Sequence, residues 1–408
     1  MSKKLLIISQ RFWPQESDIN TIAKCFANEG VKVDVLCGKP FHADGSFYEG
    51  YGVFKGSREE HFGNVNIYRA AEIKKKGFLQ KRVLLNYFSF RISSSFRMGK
   101  LRNNQYDAVL VYQTSPVFQG RASLRMARRR GIRYVMYVED LWPEALYREL
   151  DLRDWLLRRL FRAISYGNYK KADTLITGSA NTARFLVREI AESPGEVKYI
   201  APFASESFRP GERSDRIMQK YTGSFNLLYA GEFPADGSLN IFLEAAVRLV
   251  GMGIRDIRFI LAGDGEGLED LKKETDRMYL YDTVFFTGSV TDEELSGYIY
   301  AADVLICAQK KETEISYKPP KQIISCLQAR KPVIAAAEGE GREIIKKAGC
   351  GIVCEMEDAD SFAQAVLKLY KTPKEELKAM GERAKAYQEA QFSIRTQIHR
   401  IMDAVFDM

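Results

Sequence analysis

Residues 4–37 read KLLIISQRFWPQESDINTIAKCFANEGVKVDVLC, and this stretch decides the fold. Lys4 to Ser9 is a continuous apolar run of strand length, Arg11 to Gln15 is a turn, Asp18 to Glu29 has helical periodicity, and Val31 to Cys37 is a second strand: a βαβ start. Working outward, strands are expected at Val65 to Arg69, Ala108 to Tyr112, Tyr134 to Val138 and Thr174 to Thr177, with helical patterns between them. Apolar strands alternating with helices imply an α/β architecture, a parallel sheet covered on both faces. The pattern pauses at residues 201–223, a polar stretch containing APFASESFRPGERSD. It restarts with strands at Asn226 to Tyr229, Arg258 to Leu261, Val284 to Phe286, Val304 to Cys307, Pro332 to Ala335 and Gly351 to Val353. The expected organisation is therefore a first Rossmann-like domain at 1–200, a linker at 201–223, a second at 224–373, and C-terminal helices at 374–408 crossing back to the first domain. Two such doubly wound domains are expected to face a central cleft, because open parallel sheets bind ligands beyond their strand C-termini.

Composition agrees with two domains, since 408 residues with 46% hydrophobic content exceed one core. No run approaches the roughly 18 apolar residues of a membrane span, and MSKKLLIISQ enters a strand directly, so a cytoplasmic protein without a signal peptide is expected. Six cysteines lie without a CxxC pair or neighbouring histidines, which points to buried free thiols and no metal site. Charge is unevenly placed: residues 1–200 carry 34 lysines and arginines against 20 acidic residues, leaving 27 against 33 for the remainder. A basic half suits nucleic acid, anionic lipid or a phosphorylated substrate.

Several segments, in order and spacing, resemble glycosyltransferase family 4: DGSFYEGYG, VYQTSPVFQG, YVEDLWPE, KKADTLITGSANTARFL, LLYAGEF, LAGDGEGLEDL, VFFTGSV, AADVLI and ARKPVIAA. The resemblance covers nearly the whole chain and is nearest to a branch of bacterial O-antigen and capsule enzymes, including N-acetylfucosaminyl-type transferases. It implies the GT-B fold and a retaining, metal-independent transfer of a hexosyl or N-acetylhexosaminyl group, with a UDP-sugar as expected donor and no other cofactor. The implied acceptor is a polyprenyl-diphosphate-linked saccharide or growing polysaccharide.

Site residues follow partly from the sequence and partly from the resemblance. Asp140 and Glu139 stand where the strand YVEDLWPE runs out and are the catalytic candidates, although Asp140 in such a position also suits a helix cap. Gly263 with Gly265 and Gly267 follows the strand RFILA, so their amides suit a nucleotide or simply a tight turn. The resemblance adds Gly231, Gly288 and Ser289 to the donor side, and Glu16 and Asn20 to the acceptor side. Three departures stand out. Glu232 and Asp236 occupy a stretch where relatives carry cations. Tyr317 and Ser325 replace two glutamates, the second of which holds the ribose in relatives. The loop Trp13-Pro14-Gln15-Glu16 lacks glycines. Lys318 and Lys321, flanking Pro319-Pro320 before a helix, are the expected replacements for the missing cations; Lys310 and Lys311 are weaker candidates. Asp358-Ala359-Asp360 imitates a metal-binding DxD but reads better as an N-cap.

Residues 74–102 contain nine basic and no acidic residues, interleaved with Phe78, Leu85, Phe88, Ile92, Phe96 and other apolar residues. Such a stretch is expected to lie on an anionic membrane surface, peripheral on the inner face of the cell membrane, or alternatively to pack on the first domain. Arg125, Arg128, Arg129, Arg130 and Arg133 form a second basic group, and no nucleic-acid module is present. The competing reading is a catalytically impaired scaffold, or subunit for a partner glycosyltransferase. A nucleotide-sugar epimerase is disfavoured by DLWPE and the basic stretch.

Overall fold

Leu5, Leu6, Ile7 and Ile8 are all at most 1% exposed, so the strand β1 (Lys4–Ser9) is covered on both faces, as its unbroken apolar run requires. The computed structural model describes residues 2–42, 45–74, 80–114, 119–144, 155–190, 196–204, 206–309 and 320–408, with backbone alone at 80–84 and 206. The chain forms two units: Met1–Ala201 together with Gln397–Met408, and Pro202–Thr396.

In the first unit β1 pairs in parallel with β2 (Lys32–Cys37) on one side and β5 (Ala108–Gln113) on the other, Ile7 lying opposite both Val35 and Leu110. The full sheet runs β3-β4-β2-β1-β5-β6-β7-β8, with β4 at Val65–Arg69, β6 at Arg133–Val138, β7 at Thr174–Thr177 and β8 at Val197–Tyr199. The order reverses beside β1, which marks the topological switch point. Helix α1 (Asp18–Asn28) buries Ile19, Ile22, Ala23 and Phe26, spaced for one face. Further helices are α2 (Gln80–Leu101), α3 (Arg121–Arg130), α4 (Trp155–Tyr169) and α5 (Ala180–Glu189). Strand β3 (Glu59–Phe62) pairs antiparallel with β4 and escaped the sequence reading, because EEHF has no apolar run. Its charge suits an edge.

The second unit is an all-parallel sheet, β11-β10-β9-β12-β13-β14. Its strands are β9 (Phe225–Ala230), β10 (Ile257–Ala262), β11 (Val284–Gly288), β12 (Val304–Ala308), β13 (Val333–Ala336) and β14 (Gly351–Cys354). Phe242, Phe259 and Phe362, each fully buried, fill its core.

Two boundaries differ from those expected. Residues 201–223 include helix α6 (Asp215–Tyr221), whose Ile217 and Tyr221 are buried and which belongs to the second unit. Of residues 374–408, helix α13 (Lys374–Phe392) stays with the second unit, where a Cβ on Gly381 would stand 2.2 Å from the Arg330 carbonyl oxygen. Only the chain from Gln397 onward joins the first unit. Its Ile398, Ile401 and Val405 are buried, each contributing about 1.5–3 kcal/mol, and Arg133 reaches Asp407 at 3.2 Å.

Candidate functional site

At the C-terminal end of β6 the chain turns through Glu139 and Asp140, both half-buried. The turn is fixed from below. The amides of Glu139 and Asp140 both donate to the Gln113 carbonyl oxygen at 3.0 and 3.3 Å, and Gln113 Nε2 returns a bond to the Asp140 carbonyl. The Tyr169 hydroxyl accepts from both Gln113 Nε2 and the Trp142 amide, and Trp142, 1% exposed, sits edge-on to Tyr87. Burial, reinforced by Glu139, pushes the hydroxyl pKa of Tyr112 upward, so this phenol stays protonated and donates to Glu139 Oε2 at 3.1 Å. Glu139 is thus tied to the core, and the Asp140 backbone is tied to Gln113. A carboxylate at such a strand end can orient a substrate hydroxyl or stabilise a developing positive charge.

The loop after β1 is positioned by polar side chains of which the sequence reading had singled out Asn20 but not Gln10, Glu72 or Asn86. Gln10, 5% exposed, donates to Glu72 and Asn86 at 2.8 Å each, and Glu72 Oε1 accepts from the Lys39 amide at 2.6 Å. A Cβ on Gly38 would lie 2.1 Å from that carboxylate, so glycine there is what admits Glu72. Asn20 Oδ1 accepts from the Trp13 amide and its Nδ2 donates to the Gln15 carbonyl, making it a brace for the glycine-free loop. Glu16 is exposed on the same loop. The contacts of Gln10 with Glu72 and Asn86 join residues far apart in sequence, and no local pattern announces them.

In the second unit Gly231, Gly263 and Gly288 lie side by side at the C-terminal edge of β9, β10 and β11. The Gly231 amide donates to the Ala262 carbonyl at 3.0 Å and the Gly263 amide to the Gly288 carbonyl at 2.9 Å. Ser289 follows, exposed. The glycines of GDGEG have a structural duty: a Cβ on Gly263 would stand 1.9 Å from the Gly231 oxygen, and one on Gly267 2.2 Å from the Pro234 oxygen. They admit the segment 231–235, whose Phe233 is buried against Tyr229 and Phe286 while Glu232 stays exposed. Helix α10 (Lys321–Gln328) begins beside this edge, with Gln322 Nε2 donating to the Ala230 carbonyl at 3.2 Å. Lys321 is half-buried at its first position and Ser325 is buried. Lys318, Lys310, Lys311 and Tyr317 lie outside the described residues. Gln322, missed by the sequence reading, sits within the KPPKQ segment that already stood out.

Asp358 caps the helix α12 (Ala359–Tyr370), its Oδ1 accepting from the amides of Asp360 and Ser361 at 3.0 Å each. Among the described residues no group of three or more His, Cys, Asp or Glu is placed to hold a metal ion. The six cysteines are free, and burial pushes the thiols of Cys37, Cys350 and Cys354 up to about 12. A disulfide reagent at pH 8 is therefore expected to label at most Cys25 within minutes, and all six thiols in urea; rapid labelling of three or more in the folded protein would contradict the structure.

The glycosyltransferase family 4 model matches residues 15–205, and the model for glycosyl transferases group 1 matches residues 212–387. Among curated proteins, the alpha-D-kanosaminyltransferase of Streptomyces kanamyceticus is 28% identical over 52% of this chain and 55% of its own length. The D-inositol 3-phosphate glycosyltransferase of Geodermatophilus obscurus is 26% identical over 48% and 45%. The chain thus spans about half the length of the curated relatives it matches. Sucrose-phosphate synthase from Thermosynechococcus elongatus superposes with a TM-score of 0.72 at 14% identity, covering 98% of both chains. Anabaena HepE in complex with UDP gives 0.66 at 15%, covering 100% of both.

Proposed function

We propose, from the premise that this chain belongs to the glycosyltransferases, its first part to family 4 and its second to group 1, that it moves a sugar from a nucleoside diphosphate sugar to a lipid-linked saccharide. The fold is GT-B, two Rossmann-like parallel-sheet domains. The observation that carries the reading is the glycine edge of the second sheet. There Gly231, Gly263 and Gly288 keep the strand ends clear of side chains beside the first turn of α10, and a diphosphate takes the helix N-terminus and Lys321 together. The UDP bound to HepE supports UDP as the donor base. Asp140 orients the reacting groups, transfer is retaining and needs no metal, and the acceptor belongs to bacterial surface polysaccharide synthesis.

Calorimetry with UDP, GDP and dTDP, followed by product analysis with a donor panel, tests this. UDP is expected to bind in the micromolar range, and Lys321→Ala to weaken it about tenfold through loss of one charge-assisted contact. Folded protein that binds none of the three nucleotides and transfers no sugar would leave the second reading, a scaffold or partner subunit. That reading is favoured by Glu232, exposed where relatives carry a cation, and by Ser325 in place of a ribose-binding carboxylate.

The transfer takes place at the inner face of the cell membrane. Helix α2 buries Tyr87, Phe90, Met98 and Leu101 on one side, and Leu85, Phe88, Ile92 and Phe96 form a second, exposed apolar stripe at helical spacing. Helix α4 exposes Trp155 (65%), Leu156, Leu160 and Ile164 beside Arg159 and Arg162. Apolar side chains interleaved with arginines suit the headgroup region of an anionic bilayer. Phosphatidylglycerol vesicles are expected to shift the emission of Trp155 to the blue, and phosphatidylcholine vesicles to leave it unchanged; an unchanged spectrum with both would remove the membrane from the proposal. No described helix is long and apolar enough to cross a membrane.

A further inference from the structure

The first unit contains a cavity of about 310 Å³ between the ends of β2 and β4, the loop at residues 50–58, and one stripe of α2 formed by Ser93, Phe96, Arg97 and Lys100. Five cations line it, Arg69 and Lys39, Arg58, Arg97 and Lys100, and no carboxylate does. Among the described residues three carboxylates stand close by: Glu72, which accepts from the Lys39 amide, and two from β3. Glu60 is taken by Arg69 at 2.7 Å, and Glu59 is shared between Arg97 at 3.0 Å and Lys100 at 4.0 Å. Among the described residues no carboxylate pairs with Lys39 or Arg58. Lys39 is 3% exposed and donates to the Ser57 carbonyl at 3.1 Å. Its pKa is lowered by burial and then by Arg69. Arg97 is 9% exposed, its hydrogen bonds all leave from NH2, and its Nε is buried without any partner.

Cations gathered in a partly desolvated cavity repel one another and lose hydration, so the arrangement is stabilised by an anion that enters it. A phosphate group suits donors that converge from several directions, since its oxygens accept charge-assisted bonds on every side. Two further lining residues specify what the phosphate is attached to: Phe54 and Phe96 are 84% and 80% exposed. A purely polar anion leaves both rings in water, whereas a hydrocarbon chain covers them. The volume fits a headgroup and not a strand of nucleic acid.

We propose that this cavity binds the phosphate group of an amphiphile, the phosphate among Lys39, Arg58 and Lys100 and the hydrocarbon chain against Phe54 and Phe96. The inference goes beyond sugar transfer and holds equally for a non-catalytic scaffold.

The test is calorimetry on the full chain with monodecyl phosphate below its micelle concentration, compared with inorganic phosphate and with decyl maltoside, which has the same chain and no charge. Decyl phosphate is expected to bind at least tenfold more tightly than either. The double variant Arg58→Ala/Lys100→Ala should lose about tenfold or more, and Phe96→Ser should reduce decyl phosphate to the affinity of inorganic phosphate. Both leave UDP affinity unchanged, so failure here is separable from failure of the donor site, and the exposed positions of Arg58, Phe96 and Lys100 leave the fold intact by circular dichroism. Phosphatidylglycerol vesicles distinguish the source. Vesicle binding lost in the double variant identifies bilayer headgroups, and vesicle binding retained while decyl phosphate is lost identifies a single lipid-borne phosphate. Unchanged decyl phosphate affinity in the double variant overturns the proposal, as does equal binding of decyl maltoside or inorganic phosphate, or displacement by a short polyuridylate at lower concentration than decyl phosphate.

Discussion

Asp140→Ala is expected to lower the rate of sugar transfer by about 10²–10⁴-fold while leaving the protein folded and its UDP affinity unchanged. The fold survives because what holds this turn is backbone: the Asp140 amide and carbonyl both engage Gln113, and Trp142 and Tyr169 lock the following residues. Glu139→Ala differs, since it takes the acceptor from the buried Tyr112 hydroxyl and so costs about 1–3 kcal/mol of stability as well as any activity. Measuring kcat and urea midpoints for both variants separates the roles. Full activity in Asp140→Ala would remove that residue from the chemistry.

The largest stability effect is expected at Gly263. An alanine Cβ there stands 1.9 Å from the Gly231 carbonyl oxygen, in a residue whose φ is +133°, a region L-residues rarely adopt. Backbone strain and overpacking each contribute about 1–3 kcal/mol, so Gly263→Ala should destabilise the second unit by about 3–5 kcal/mol. UDP binding should weaken with it, because the displaced segment 231–235 belongs to the glycine edge. Gly288→Ala is the control: its φ is +72° but nothing lies within 4 Å of the added carbon, so about 1–2 kcal/mol is expected. Equal urea midpoints for Gly263→Ala and the wild type would show that the Gly231 backbone yields without strain.

Legibility in the sequence followed the physics of each element. Strands buried on both faces, such as KLLIIS and the run at Ala108, announce themselves by unbroken apolar residues; the edge strand EEHF does not, because half its side chains face water. The positions of Asp140, Gly231, Gly263 and Gly288 at strand ends were readable because a strand's end is a local event. What Gly263 accommodates was not readable, since the Gly231 oxygen it spares belongs to a loop about thirty residues earlier. The cluster of Gln10, Glu72 and Asn86 escaped for the same reason. Helix α4 falls in one of the helical patterns expected between the strands, but which of its faces stays exposed was not readable from WLLRRLF, because burial of a helical face is decided by its neighbours.

The division of the chain also orders its synthesis. The second unit is continuous from Pro202 to Thr396, so every residue it needs has been made before the chain's last dozen. The first unit begins earlier and finishes later: it lacks the buried Ile398, Ile401 and Val405 until then, and Phe26 lacks the ring of Phe406. On the ribosome, therefore, the part that starts first is completed last, and a chain stalled before Gln397 carries a finished second unit joined to a first unit with an uncovered apolar face.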